Sequence, residues 1–290
     1  MANGDPKPAE ASAPEPKLKI YFLPNLMTAG NLFCGFIALT KIVEADASMP
    51  NFTSVIRVAL FYILLACIFD LLDGRVARLG GHESPFGREF DSLADIVSFG
   101  VAPAFLVHRI VLADVFRARP EIGWFIALIY LICGAFRLAR FNCLAVQAGN
   151  GGGKEFLGFP IPAAAGLVGS LTLFLLWTED HDYRKFQDST WRFLLPGIMV
   201  ILSMMMVSQV KYPTFKKLDF RTTRTFPKMV GTVLLVGFFV LLWDKILQFV
   251  LPLVFTAYLL YGFIRPRISR KIRADIEEEG EEEEDGSGEP

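Results

Sequence analysis

Four aspartates stand where a carboxylate is expensive. Asp70 and Asp73 close one long apolar segment, and Asp91 and Asp95 open the next. An Asp at the middle of a spanning helix costs roughly 2.5–3.5 kcal/mol on insertion scales, so four unmatched ones would cost roughly 10–14 kcal/mol. Asp70 and Asp73 are three apart and Asp91 and Asp95 four apart, so each pair shares one helix face. Folding the two segments back on each other through the polar link Gly80–Pro85 would bring all four carboxylates together. Four anionic oxygen donors without His or Cys make a hard-cation set, suited to Mg²⁺ or Mn²⁺ and large enough for two ions. Carboxylate-held magnesium keeps positions that phosphate oxygens can take, so the expected chemistry concerns a phosphate group. Gly74 and Gly87 lack a Cβ and let a ligand approach the backbone. Arg78, one turn beyond Gly74, is placed to add a charge-assisted bond to phosphate. The plainer alternative is a set of membrane-edge aspartates paired with nearby arginines.

The elements that must position these residues are apolar helices. The chain of 290 residues is 53% hydrophobic with 27 Phe, which excludes an ordinary soluble domain and points to a polytopic membrane protein. Spans are expected at Leu23–Val43, Val55–Leu79, Asp91–Leu112, Gly123–Arg140, Ile161–Thr178, Phe193–Val210, Val230–Trp243 and Ile246–Ile264. The fold expected is all-α, a bundle of about eight transmembrane helices. A six-helix core at 19–210 is followed by a C-terminal hairpin at 211–264, between tails at 1–18 and 265–290. The first tail is rich in Pro, Ala, Glu and Lys and reads as disordered rather than as a signal peptide. The second starts as a basic patch, Arg265–Arg273, suited to anionic lipid, and continues as the solvated acidic run Glu277–Asp285. Cys34, Cys67, Cys133 and Cys143 show no ligand spacing and read as small apolar residues.

Loop charge sets the orientation. Of the 29 Lys and Arg, 20 fall on the side that holds both termini and the four aspartates. The opposite loops, Glu44–Asp46, Asp114–Glu121 and Glu179–Asp188, are acidic or mixed. By the positive-inside rule the aspartates face the cytosol. The expected location is therefore the cytoplasmic membrane, with both termini inside. The first span opens with Pro24-Asn25 and carries Thr28 and Asn31 on a helical stripe, which in a membrane faces protein or a cavity.

The pattern D-x2-D-G-x2-A-R-x8-G-x3-D-x3-D resembles the signature of the CDP-alcohol phosphatidyltransferase family, with Asp70, Asp73, Gly74, Ala77, Arg78, Gly87, Asp91 and Asp95 all in place. The resemblance implies transfer of a phosphatidyl group from a CDP-linked lipid to an alcohol, with release of CMP. It implies that CDP-diacylglycerol lies against Asn25, Thr28, Gly74, Arg78, Ser84 and Gly87, and that Asp95 takes the proton of the incoming hydroxyl. It further implies a homodimer and a bacterial membrane; no nucleic-acid partner is expected.

Three further stretches resemble the bacterial branch whose acceptor is L-serine, the phosphatidylserine synthases: Pro24–Phe36, Ser92–Pro103, and Phe136–Asn142 with Phe159–Ala163. Arg137 and Arg140 are then placed to receive the carboxylate of L-serine, unless positive-inside topology alone accounts for them. Asn142 is placed to hold its amino or hydroxyl group, or to cap the helix end. His82 reads as an exposed loop residue. Glycerol 3-phosphate, an inositol phosphate or choline stand as alternative acceptors. A divalent-cation transporter stands as the alternative class, although no internal repeat is visible.

Overall fold

The computed structural model describes residues 22–46, 48–80, 84–147, 155–180, 193–213 and 249–262, with residues 75–80, 146–147, 155–156, 179–180, 211 and 213 described by backbone alone. Five helices are long and apolar enough to cross a membrane: α1 (Phe22–Glu44), α2 (Phe52–Gly80), α3 (Pro85–Val115), α4 (Pro120–Gln147) and α5 (Ile161–Asp180). Two shorter apolar helices follow, α6 (Leu194–Val207) and α7 (Phe249–Gly262). The protein is thus an all-helical polytopic membrane protein. The expected span Val230–Trp243, both tails and His82 lie outside the described residues, as does the Arg78 side chain.

These helices carry apolar residues on their outward faces as well as in the core, which is what a lipid solvent requires. Outward faces carry Phe33, Phe36, Phe125 and Phe136, all more than half exposed in the isolated chain. Inward faces meet in a core that includes Cys34, Ala38, Ile63, Phe99, Tyr130 and Ile161. With no hydrophobic force to separate helix from lipid, close packing decides which faces meet. Gly35 of α1 shows how close that is: a Cβ there would collide with the Ser98 hydroxyl and lie 2.8 Å from Ser98 Cα on α3.

Helix α3 starts six residues before the expected Asp91, because Ser84 caps it. The Ser84 hydroxyl accepts the Gly87 N–H at 3.0 Å, and Pro85 occupies the first turn. The helix also contains two π-helical segments, Ile96–Val101 and His108–Leu112. The first has a cause in the sequence. Pro103 has no N–H to give to the Phe99 carbonyl, and its ring would clash with that oxygen in a regular α-helix. The wider turn relieves the clash, and the Tyr130 hydroxyl of α4 donates to the Phe99 carbonyl at 3.1 Å.

One departure from the all-α expectation is a two-stranded antiparallel ladder of β1 (Glu155–Leu157) and β2 (Lys211–Pro213), with Phe156 opposite Tyr212. It shortens the expected Phe193–Val210 span, whose helix stops at Val207 so that the chain can pair. Gly158, at φ +80°, turns the chain from β1 towards α5, and a Cβ there would strike the Met206 carbonyl.

Candidate active site

The hairpin of α2 and α3 does what the spacing predicts for three of the four aspartates. One carboxylate oxygen from each of Asp70, Asp91 and Asp95 lies within 4.8 Å of the others. Asp95 is 5% exposed, and Asp70 and Asp91 are half-buried. Asp73, also 5% exposed, stands beside this set: it neighbours Asp91 and accepts the Thr28 hydroxyl at 2.8 Å. The described residues therefore give a single three-carboxylate set with Asp73 next to it.

Helix α1 orients the acids from the side. Thr28 also donates to the Pro24 carbonyl, so its hydroxyl is shared between its own helix and Asp73. One turn on, Asn31 Nδ2 donates to Asp95 Oδ1 at 3.0 Å, and the Asn31 carbonyl accepts the Ser98 hydroxyl at 3.0 Å. The sequence places Asn31 on the polar stripe but gives it no partner. Its three-residue offset from Thr28 is the signal, since two polar groups one turn apart share the face that meets the acids, Asp73 of α2 and Asp95 of α3.

The donor set fits a divalent cation on two counts. Three carboxylates gathered this closely repel one another and are poorly solvated, a state that a hard cation reverses. In addition, Asp91 Oδ1 is buried with no hydrogen-bond partner among the described residues, an acceptor of the kind a bound cation satisfies.

On the side where α3 begins, Asn25 Nδ2 is likewise buried with no partner among the described residues. A Cβ on Gly87 would come within 3.2 Å of Ser84 Oγ and 3.4 Å of Asn25 Oδ1, so Asn25, Ser84 and Gly87 share one corner. Pro85 has no N–H, and those of Gly87 and Arg88 go to the hydroxyl and carbonyl of Ser84, so the corner's own buried donor is the Asn25 amide. Gly74 is half-buried in α2, directly after Asp73.

The three residues expected to receive an amino acid lie in the later turns of α4 in different surroundings; the helix runs on to Gln147, past the expected end at Arg140, so Asn142 does not cap it. Arg137 is 9% exposed, lies 5.7 Å over the Phe141 ring, and interacts electrostatically with Asp95 and Asp70. Arg140 instead donates to three backbone carbonyls, those of Leu157, Val207 and Ser208, at 3.0 Å each. It fastens the β1 corner and the end of α6 to α4. Asn142 Nδ2 donates to Ser92 Oγ at 3.0 Å and Glu89 Oε2 at 3.2 Å, tying α4 to the first turns of α3.

A multi-pass helical protein with acids from two adjacent helix ends around a cation-sized space belongs to the membrane enzymes that handle phosphate, rather than to the scaffolds. Comparison with known proteins makes the class specific. The CDP-alcohol phosphatidyltransferase family matches residues 21–208, and the chain belongs to that family. It is similar to the CDP-diacylglycerol–serine O-phosphatidyltransferase of Helicobacter pylori (strain J99), with 37% identity over 246 residues, 85% of this chain and 91% of the relative. It resembles the Bacillus subtilis enzyme of the same name at 32% identity, covering 68% of this chain and 92% of the relative. It is also similar to the archaetidylserine synthase of Methanothermobacter thermautotrophicus, at 35% identity over 66% of this chain and 69% of that one.

Proposed function

We propose that this protein transfers the phosphatidyl group of CDP-diacylglycerol to the hydroxyl of L-serine, giving phosphatidylserine and CMP. The observation that carries the reading is the gathering of Asp70, Asp91 and Asp95 within 4.8 Å in a member of this family. Serine as acceptor is supported by relatives named for it that span bacteria and archaea.

In this reading Asp70, Asp73, Asp91 and Asp95 hold divalent magnesium or manganese, two ions when the set is filled. When bound, the metal neutralises the diphosphate and the charge on departing CMP. The nucleotide end lies in the corner of Asn25, Thr28, Ser84 and Gly87, where the Asn25 amide donates to it. Gly74 leaves room at the backbone, and Arg78 adds a charge-assisted bond. Serine enters with its carboxylate towards Arg137. Its hydroxyl oxygen forms a bond to the phosphatidyl phosphorus as the bond from that phosphorus to the CMP oxygen breaks. Asp95 takes the hydroxyl proton. A metal-sharing carboxylate is a weak base, so position is what makes Asp95 effective, and the Asn31 amide fixes that position. Arg140 and Asn142 act on this site through the backbone and helix ends they fasten. The core at 19–210 carries the chemistry and the hairpin at 211–264 is an addition to it. Both termini and the site face the cytosol of a bacterium, and the working unit is a homodimer.

The test is CMP release by purified protein given CDP-diacylglycerol, Mn²⁺ or Mg²⁺, and one alcohol at a time. Release with L-serine is the expected result. Release with only glycerol 3-phosphate, an inositol phosphate or choline would overturn the acceptor. Divalent-ion flux without CMP would overturn the enzyme.

A further inference from the structure

Two polar residues of α3, Asp95 and Ser98, are bonded to the same residue of α1. The Asn31 side-chain amide donates to Asp95 Oδ1 at 3.0 Å, and the Asn31 backbone carbonyl accepts the Ser98 hydroxyl at 3.0 Å. All three residues are buried, Asn31 and Ser98 completely. One turn further along α1, Gly35 meets Ser98 so closely that a Cβ would lie 2.8 Å from Ser98 Cα, the kind of backbone approach that only a small residue permits. Asn31 and Gly35 of α1 thus meet Asp95 and Ser98 of α3 as two adjoining pairs. The Asn31 amide itself is thinly held. A carboxylate in its charged form can only accept, so the Nδ2 end must face Asp95. The Oδ1 end is buried with no partner among the described residues. With a bond at one end alone, the direction of the amide is decided by the main chain that carries it, and the Ser98 hydroxyl is fastened to that main chain.

We infer that Ser98 is a positioning residue for the transfer reaction: by holding the Asn31 main chain, its hydroxyl aims the Asn31 amide at Asp95, and so fixes the carboxylate that takes the acceptor's proton. The role of Ser98 rests on that reading of Asp95, and not on which alcohol is the acceptor. A carboxylate that works by position loses effect once it is free to turn, because small misplacements are costly in a transition state. Ser98 touches neither substrate nor cation in this scheme, so its loss is felt in the rate of the bound complex and not in the binding of either substrate. Tyr130 provides the contrast. Its hydroxyl gives the same kind of bond to the same π turn, but at the Phe99 carbonyl rather than at Asn31.

The experiment is steady-state CMP release by the full chain with CDP-diacylglycerol, Mn²⁺ and the alcohol that the unaltered protein accepts. Ser98→Ala, Tyr130→Phe, Asn31→Ala and the double variant of Ser98 and Asn31 are compared, with thermal unfolding of each in detergent. Ser98→Ala should lower kcat ~5-fold, the factor carried by one ordinary hydrogen bond. Both KM values should stay within ~2-fold. Tyr130→Phe should lose similar thermal stability and keep its kcat. Once Asn31 is alanine, Ser98→Ala should cost nothing further in kcat, because its effect passes through an amide already removed. An unchanged kcat in Ser98→Ala or in Asn31→Ala would overturn the inference. So would an equal fall in Tyr130→Phe, or the same fall in Ser98→Ala with and without the Asn31 amide, since either reduces Ser98 to helix packing. No CMP from the unaltered protein with any alcohol would show instead that the transferase reading is at fault, and would remove the role of Ser98 with it.

Discussion

Asp91 offers the sharpest test at the level of a single atom. Its buried Oδ1 has no partner among the described residues, while the neighbouring acids press against it. Asp91→Asn keeps the shape and removes the charge. Altering residues that merely support a ligand typically costs 10–100-fold, so losing a direct ligand should lower turnover by more than ~100-fold. Mn²⁺ affinity, read by electron paramagnetic resonance, should fall with it. Normal turnover in the variant would count against the cation site. Asn31 tests orientation separately from charge. Asn31→Ala leaves all the acids in place but frees Asp95 Oδ1. We expect kcat to fall ~10–100-fold with the KM for serine little changed, because a second partner of this kind acts on the placement of a group rather than on its presence. An unchanged kcat would mean that Asp95 needs no such holding.

At the scale of elements, the hairpin was readable and its fine rotation was not. Polar residues in apolar helices announce which faces meet, so the Asp70/Asp91/Asp95 gathering and the polar face of α1 follow from spacing alone. Apolar residues carry no such message, because lipid solvates Leu as well as a neighbouring helix does. The sequence could therefore place Arg140 at the end of α4 without revealing that its donors go to three carbonyls of later segments. The ladder of β1 and β2 escaped because three residues per strand leave no periodic pattern. Pro103 was the readable sign of the π turn, since a proline inside a span has to release one carbonyl. The bond that Tyr130 gives to that carbonyl can be weighed directly. Tyr130→Phe should destabilise the protein by about 1 kcal/mol, as for other hydrogen bonds between membrane helices. Thermal unfolding in detergent would register this as a drop of a few degrees. No shift would mean that the released carbonyl finds another donor.

For the molecule as a whole, charge is sorted by position. The acidic run Glu277–Asp285 follows the basic segment Arg265–Arg273, so the negative net charge of −1 conceals a basic body. If that body sets the orientation, protease added to inverted vesicles should remove the acidic tail, and protease outside right-side-out vesicles should leave it intact. A chain lacking 277–290 should turn over at the unaltered rate, as expected of a solvated acidic run. Cleavage from the outer side would reverse the topology, and a slowed truncated chain would give the tail a part in the reaction.

The widened turn at Ile96–Val101 also constrains how this chain can change in length. A π turn is an α-helix carrying one additional residue, so losing any one of the six would let the backbone relax into ordinary helix without a break. Its flanking faces would keep their bearings, whereas the same loss in regular helix after Asp95 would swivel the stub bearing Asp91 and Asp95 by about 100° against the remainder of the span. The widened turn is thus the place where descendants of this gene can shorten the rod without scattering the acids.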